Sequence, residues 1–196
     1  MCSRFQLKTP SDEIADFFAI EDFPDWEPQM EIRPTDFAPV IDGPGHAAIM
    51  GFGIPAPWDV KKPVLNARAE TISEKSLFQP LLNKRCLIPA SGYYEWRSAG
   101  SEKLKNLITA NQGSLFTFAG LSNGEQFTII TCQPAPEIAQ IHNRMPVILT
   151  PEGGKQWLDP ATSFPSVKEL LVPFDGKQLS ANEDVPSPPA QGDLFG

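Results

Sequence analysis

Arg85-Cys86-Leu87-Ile88-Pro89-Ala90-Ser91-Gly92-Tyr93-Tyr94-Glu95-Trp96-Arg97 reads as two short strands, Cys86–Pro89 and Gly92–Arg97, with a small polar joint between them. The first is an apolar run bounded by charge and proline. The second is rich in aromatics and opens on glycine, and both features favour extended backbone. Working outward, similar runs occur at Leu115–Ala119, Phe127–Cys132 and Met145–Leu149, and residues 46–54 read as a buried strand. Short helices are expected at Thr71–Leu82, Pro136–His142, Pro151–Leu158 and Ser166–Leu171. A further helix starts at Thr9-Pro10-Ser11-Asp12, where Thr9 suits the cap, Pro10 the first turn and Asp12 the positive end of the dipole. Residues 23–45 hold five prolines and little periodicity, so they read as an ordered irregular loop. No strand–helix–strand rhythm and no glycine-rich phosphate loop appear. The pattern predicts an α+β fold, a single domain with mostly antiparallel sheet and short flanking helices. The domain is expected over residues 1–180, with 181–196, which contain Pro186-Ser187-Pro188-Pro189, as a flexible tail.

The chain has 196 residues, 41% of them apolar and 10% aromatic, which is enough for a core and too apolar for disorder. No apolar run reaches the ~18 residues of a membrane span, and nothing in the opening residues reads as a signal peptide, so none is expected. The cysteines are Cys2, Cys86 and Cys132, with no C-x-x-C pair, and the histidines are His46 and His142. A disulfide framework and a zinc site are therefore not expected, and a reducing cytoplasmic setting is. Cys86 and Cys132 lie in apolar runs and read as core residues, and His46 reads as structural.

A net charge of −8 argues against nucleic acid when taken whole. Its distribution argues otherwise. Residues 9–42 hold ten acids against Arg33, a sum of −9, and residues 175–196 hold four acids against Lys177, a sum of −3. The remainder carries +4.

Four places could carry chemistry. Removal of Met1 would leave Cys2 with an amine and a thiol on adjacent carbons. The amine, with a pKa near ~8 against ~10.4 for lysine, is partly unprotonated at neutral pH and attacks aldehydes. The plainer reading is a chance cysteine on a frayed end. In extended backbone Asn66, Arg68 and Glu70 share a face, which suits orienting a reacting group and clamping a phosphate, or equally a surface strand with an ion pair. Glu95 sits between Tyr94 and Trp96. Burial there would raise its pKa and make it a general acid, whereas an ordinary strand glutamate would face solvent. His142 closes a short helix two residues before Arg144, and a lone histidine there is as readily structural as catalytic.

These segments, with Met1-Cys2-Ser3-Arg4-Phe5, Arg33-Pro34 through Ala38-Pro39, Gly51-Phe52-Gly53-Ile54-Pro55 with Trp58, Asn66-Ala67-Arg68-Ala69-Glu70-Thr71, Phe118-Ala119-Gly120-Leu121 and Ile141-His142-Asn143-Arg144-Met145-Pro146, resemble the SOS-response-associated peptidase (SRAP) family. The resemblance implies a curved, barrel-like sheet and a DNA-damage-response function, in which abasic sites in single-stranded DNA are shielded by covalent attachment. It implies that Cys2 is the nucleophile that ends as a thiazolidine, that Asn66 positions its amine, and that Glu95 and His142 form the acid–base pair. It further implies that Arg68 and Arg144 hold the flanking phosphates, that Arg4 faces DNA, and that Trp96 and Pro39 pack against bases. The expected partner is single-stranded DNA with an abasic site, met by a cytoplasmic monomer that joins the nucleoid when bound, with no membrane, metal or organic cofactor. Two other classes fit the residue types. One is a cysteine peptidase using Cys2, His142 and Asn66, and the other is a non-covalent single-strand binder. Ser3 and Asp36 depart from the family's usual glycine and asparagine, and Asp36 puts a carboxylate near the expected DNA groove.

Overall fold

Arg85–Ala90 is buried along its whole length, as expected of a strand with neighbours on both sides. A computed structural model describes residues 2–111 and 115–184. In chain order the strands are β1 Arg4–Leu7, β2 Gln29–Ile32, β3 Phe37–Gly43, β4 His46–Phe52, β5 Ile54–Ala56, β6 Asp59–Val64 and β7 Asn66–Arg68. They continue with β8 Arg85–Ala90, β9 Gly92–Ala99, β10 Glu102–Ala110, β11 Phe116–Ser122, β12 Gln126–Cys132, β13 Met145–Pro146 and β14 Leu179–Glu183. The helices are α1 Ser11–Phe18, α2 Pro136–Ala139, α3 Pro151–Leu158 and α4 Phe164–Val167.

Strands β11, β8, β3, β4 and β12 pair in that order, and β12 returns to β11, so five strands close a barrel. All these pairings are antiparallel except β4–β12, which is parallel. Beside the barrel lies a five-stranded sheet in the order β14-β10-β9-β1-β2. The expected α+β class with a barrel-like, mostly antiparallel sheet is what the chain adopts. Among the described residues no helix is long and apolar enough to cross a membrane.

Phe5 joins the two sheets. It leaves β1 and packs edge-on against Phe52, Phe118 and Phe127, with ring centroids 5.6, 6.1 and 6.4 Å away. Each such contact contributes about 0.5–1.5 kcal/mol beyond simple burial. The anchor fixes β1, and so fixes Cys2 three residues earlier. At Gly120 of β11 a side chain has no room, because an added Cβ would lie 2.8 Å from the Thr128 carbonyl oxygen and against Ile88. Gly120→Ala is expected to lower unfolding free energy by about 3 kcal/mol, read by urea denaturation.

Several local expectations are corrected. The 23–45 segment is not one loop, because it contributes β2 and β3. Its prolines are compatible with the sheet because Pro39 sits inside β3 and the rest fall outside these strands. Thr9 does not cap α1. Pro10 holds that position, and the Thr9 hydroxyl lies 3.1 Å from Ser91 Oγ instead. Thr71–Leu82 forms two 3-10 turns, Ile72–Glu74 and Gln79–Leu81, with Pro80 in the second. The Met145–Leu149 strand shortens to β13 plus a single bridge from Ile148 to Phe118. The helix from Pro136 stops at Ala139, and that expected at Ser166 starts at Phe164 and passes into a 3-10 turn. His46 is exposed, and its Nδ1 lies 2.5 Å from Asp42 Oδ1. Cys86 and Cys132 are buried, as expected. The boundary placed between residues 180 and 181 falls inside β14, and residues 185–196 of the expected tail lie outside the described residues.

Candidate active site

Cys2 lies just before β1, which runs antiparallel to β9 with Arg4 opposite Tyr94 and Phe5 opposite Tyr93. Its side chain is fully buried. Burial pushes the thiol pKa well above the ordinary value, and the charge of nearby Glu95 pushes it further. The thiol is therefore protonated at neutral pH. Asn66, at the start of β7, donates from Nδ2 to the Cys2 carbonyl oxygen at 2.8 Å and to the Leu65 carbonyl at 3.0 Å. It thus holds Cys2 by its backbone carbonyl. β7 is itself held by parallel pairing with β12, Asn66 opposite Ile129.

Glu95 faces inward on β9 and is 1% exposed. Desolvation raises its pKa to about 7. Strand alternation placed it opposite Tyr94 and Trp96, and the packing decides between the two readings left open by the sequence: this glutamate is internal. His142 follows α2, and its Nε2 lies 3.8 Å from Glu95 Oε2. His142 Nδ1 lies 3.1 Å from the Arg144 backbone N–H, which donates to it, and 3.3 Å from the Arg144 carbonyl oxygen, while Nε2 faces Glu95. Burial lowers the His142 pKa, so the ring is neutral at pH 7. The site thus pairs a carboxyl with a pKa of about 7 with a neutral imidazole, beside a residue with a protonated thiol.

The residues expected to contact DNA separate into three groups. Arg68 is exposed at the end of β7. Arg4 stacks its guanidinium over the Trp96 ring, 5.4 Å from the centroid, and pairs with Glu31 at 2.9 Å. Arg144 and Pro39 depart from expectation. Arg144 is buried, with both terminal nitrogens on the Glu70 carboxylate at 2.7 and 2.8 Å and Nη2 on the Thr131 carbonyl at 2.6 Å. Its guanidinium is committed within the protein, where it braces β7 and β12 around His142. Pro39 is buried in β3 and offers no surface to a base, because the barrel closes over it. Arg144→Ala is expected to cost about 2 kcal/mol of stability in chemical denaturation, since Glu70 is half exposed and can rehydrate.

Two contributors, Glu31 and Asn106, were not identified from sequence, and a third, Glu70, was seen without its partner. Glu31 collects Arg4, Arg33 and Lys105 within 3.3 Å, which lowers its pKa to about 2 despite the opposing desolvation. Asn106 on β10 lies directly across from Glu95 and is buried. Glu70 was placed on the Asn66 face, but its partner is 74 residues away. No local signal marks these, because each acts through long-range strand pairing. Asp36, the carboxylate near the expected groove, accepts the Arg33 N–H at 2.8 Å through Oδ2 and so closes a tight turn. Among the described residues no cluster of metal-binding side chains occurs.

The geometry can be set beside known proteins. The chain is 36% identical over 203 residues to the abasic site processing protein YoaM of Bacillus subtilis, covering 92% of this chain and 89% of that one. It is 30% identical over 127 residues to the abasic site processing protein YedK of Escherichia coli, covering 60% and 57%. A crystal structure of a protein from Bacteroides thetaiotaomicron superposes with a TM-score of 0.80 at 27% identity, covering 93% of this chain and 91% of that one. The model of one family, SOS response associated peptidase (SRAP), matches residues 1–185. Sequence, fold and an unbroken match from the cysteine through the barrel agree, and the chain belongs to the SOS response associated peptidase family.

Proposed function

We propose that the protein processes abasic sites in single-stranded DNA by bonding to them covalently through Cys2. The observation that carries this reading is Glu95, a buried carboxyl with a pKa of about 7 beside a residue whose thiol stays protonated. Relatives named abasic site processing proteins support the lesion.

With Met1 removed, the Cys2 amine attacks the C1′ aldehyde of the open-chain sugar and forms a carbinolamine. Glu95 gives its proton to the departing hydroxyl, water leaves and an imine remains. The Cys2 S–H then adds across the C=N bond, sulfur to carbon and hydrogen to nitrogen. The product is a five-membered thiazolidine, and one water is lost overall. His142 moves the proton at the sugar oxygen during ring opening, with Nε2 directed toward Glu95. Arg4 and Arg68 meet the flanking phosphates, and Trp96 meets a neighbouring base. A single strand suits such a site because the base-free sugar and its neighbours must leave the stack. The protein is read as a monomer that needs no metal or organic cofactor.

A cysteine peptidase needs a thiolate, and here burial and Glu95 both oppose one, while His142 is directed at Glu95. That reading lacks comparable support.

Incubation of the Met1-free protein with an abasic oligonucleotide tests the proposal. The expected product survives denaturing electrophoresis, and its intact mass is protein plus DNA less one water. Protein shown by mass to lack Met1 that yields no adduct overturns it.

A further inference from the structure

Tyr93 stands two residues before Glu95 on β9, so its side chain shares the inward face with Glu95. Tyr94 and Trp96 face the other way and carry Lys105 and Arg4 over their rings. The Tyr93 ring packs edge-on against Phe118, with centroids 6.0 Å apart, and tilted against Phe116 at 6.4 Å. The residue is fully buried, yet among the described residues its hydroxyl has no hydrogen-bond partner. A buried tyrosine hydroxyl usually finds one, and phenylalanine would fill the same space without desolvating a polar group. Packing therefore accounts for the ring and leaves the hydroxyl unexplained.

The groups around that hydroxyl belong to the reacting cluster. The residue opposite Tyr93 on β1 is Phe5, three positions after Cys2, and Cys2 and Tyr93 lie in one continuous core. Burial pushes the Tyr93 pKa well above its ordinary value, and the charges that push it further are those of Cys2, then Glu95 and Cys132. The phenol keeps its proton at neutral pH and is a donor that lacks an acceptor. The Cys2 sulfur already receives one donor, the Arg4 backbone N–H. During ring closure the thiol proton leaves sulfur for nitrogen, and negative charge builds on sulfur until the S–C bond forms. A donor fixed toward that charge lowers the barrier, most of all where water is excluded.

We propose that Tyr93 is a catalytic residue for ring closure: its O–H donates to the Cys2 sulfur while the thiol proton passes to the imine nitrogen and the S–C bond forms. The sulfur lone pair makes the new bond, the C=N π pair takes the proton, and Tyr93 keeps its own. This rests on the covalent reading above. It assigns the two halves of the chemistry to different residues, with Glu95 serving loss of water and Tyr93 serving addition of sulfur.

The test mixes Met1-free protein with abasic single-stranded DNA and quenches rapidly into borohydride. Intact mass separates the products, because the reduced imine is two hydrogens heavier than the thiazolidine. In Tyr93→Phe the ratio of reduced imine to thiazolidine at early times is expected to rise about tenfold over wild type. In a Cys2→Ser background there is no sulfur to stabilise, so adding Tyr93→Phe should leave the yield of trapped imine as it is. The urea midpoint of free Tyr93→Phe protein should equal or exceed that of wild type, because the hydroxyl has no bond to lose. A merely structural tyrosine would slow imine formation and ring closure together and lower that midpoint. A wild-type ratio in Tyr93→Phe, a fall in trapped imine in the Cys2→Ser background, or a lowered midpoint overturns the role of Tyr93 and leaves the covalent reading standing. Wild-type protein that yields neither mass removes the covalent reading, and this inference with it.

Discussion

Cys2→Ala protein, mixed with abasic single-stranded DNA, gives no product that survives heat and denaturant, and Cys2→Ser separates the two halves of the chemistry. Both variants keep an amine at residue 2 once Met1 is gone, so both can form the imine. Neither has sulfur, so neither can close the thiazolidine. Added borohydride reduces the imine to a stable amine, and a band should then appear with Cys2→Ser that is missing without reductant. The wild-type band should need no reductant. A reductant-independent, heat-stable adduct from Cys2→Ser would show that ring closure by sulfur is not the final step. The folded state should tolerate either change. Cys2 is fully buried but lies ahead of β1, and the bond it receives from Asn66 ends on its backbone carbonyl, which both variants keep.

The second large effect belongs to Glu95. The proposed mechanism makes Glu95 the proton donor for loss of water, so Glu95→Gln should slow adduct formation by about 10²–10⁴. The wild-type rate should trace a bell against pH. The amine must be free, with a reference pKa near ~8, and Glu95 must hold its proton, with a pKa of about 7, which places the optimum near ~7.5. The same group bears on stability with the opposite sense. Its folded pKa lies above the ordinary 4.5, so the native state holds a proton that the unfolded state releases. Stability is therefore full below about 4.5 and declines as pH rises toward 7, reaching a cost on the order of 3 kcal/mol. Glu95→Gln should match the wild type at pH 4 and exceed it by about that amount at pH 8, in urea denaturation. An equal difference at both pH values would show that Glu95 is not desolvated in the folded chain.

The sequence discloses the site better than the frame that carries it. Cys2, Asn66, Glu95 and His142 lie on four separate segments, each marked by residue types whose spacing suits the chemistry, and folding brings them together. The strands around Arg85–Trp96 were legible because their apolar runs are buried on both sides. β1, β10 and β14 were not, since Arg4–Leu7 is short and Glu102–Ala110 alternates charge with apolar residues on an outer sheet. β3 was hidden by its own proline, which the barrel accommodates. Arg144 and Pro39 looked like ligand contacts because local sequence cannot report that Glu70 and Thr131 reach the one and that the barrel covers the other. The charge division held its meaning. The acidic N-terminal segment folds back through Glu31 onto Arg4, Arg33 and Lys105, and so moderates the basic side of the sheet.

The enclosure of Cys2 also orders events during biosynthesis. On the proposed chemistry the peptide bond between residues 1 and 2 must be cut before the cysteine amine exists, and Cys2 takes its place beside Glu95 once β1 has paired with β9 and Phe5 has entered the barrel. An aminopeptidase that acts on the nascent chain meets the N-terminus long before β9 has been translated. A chain refolded from denaturant with Met1 still attached would have the right shape and remain inert.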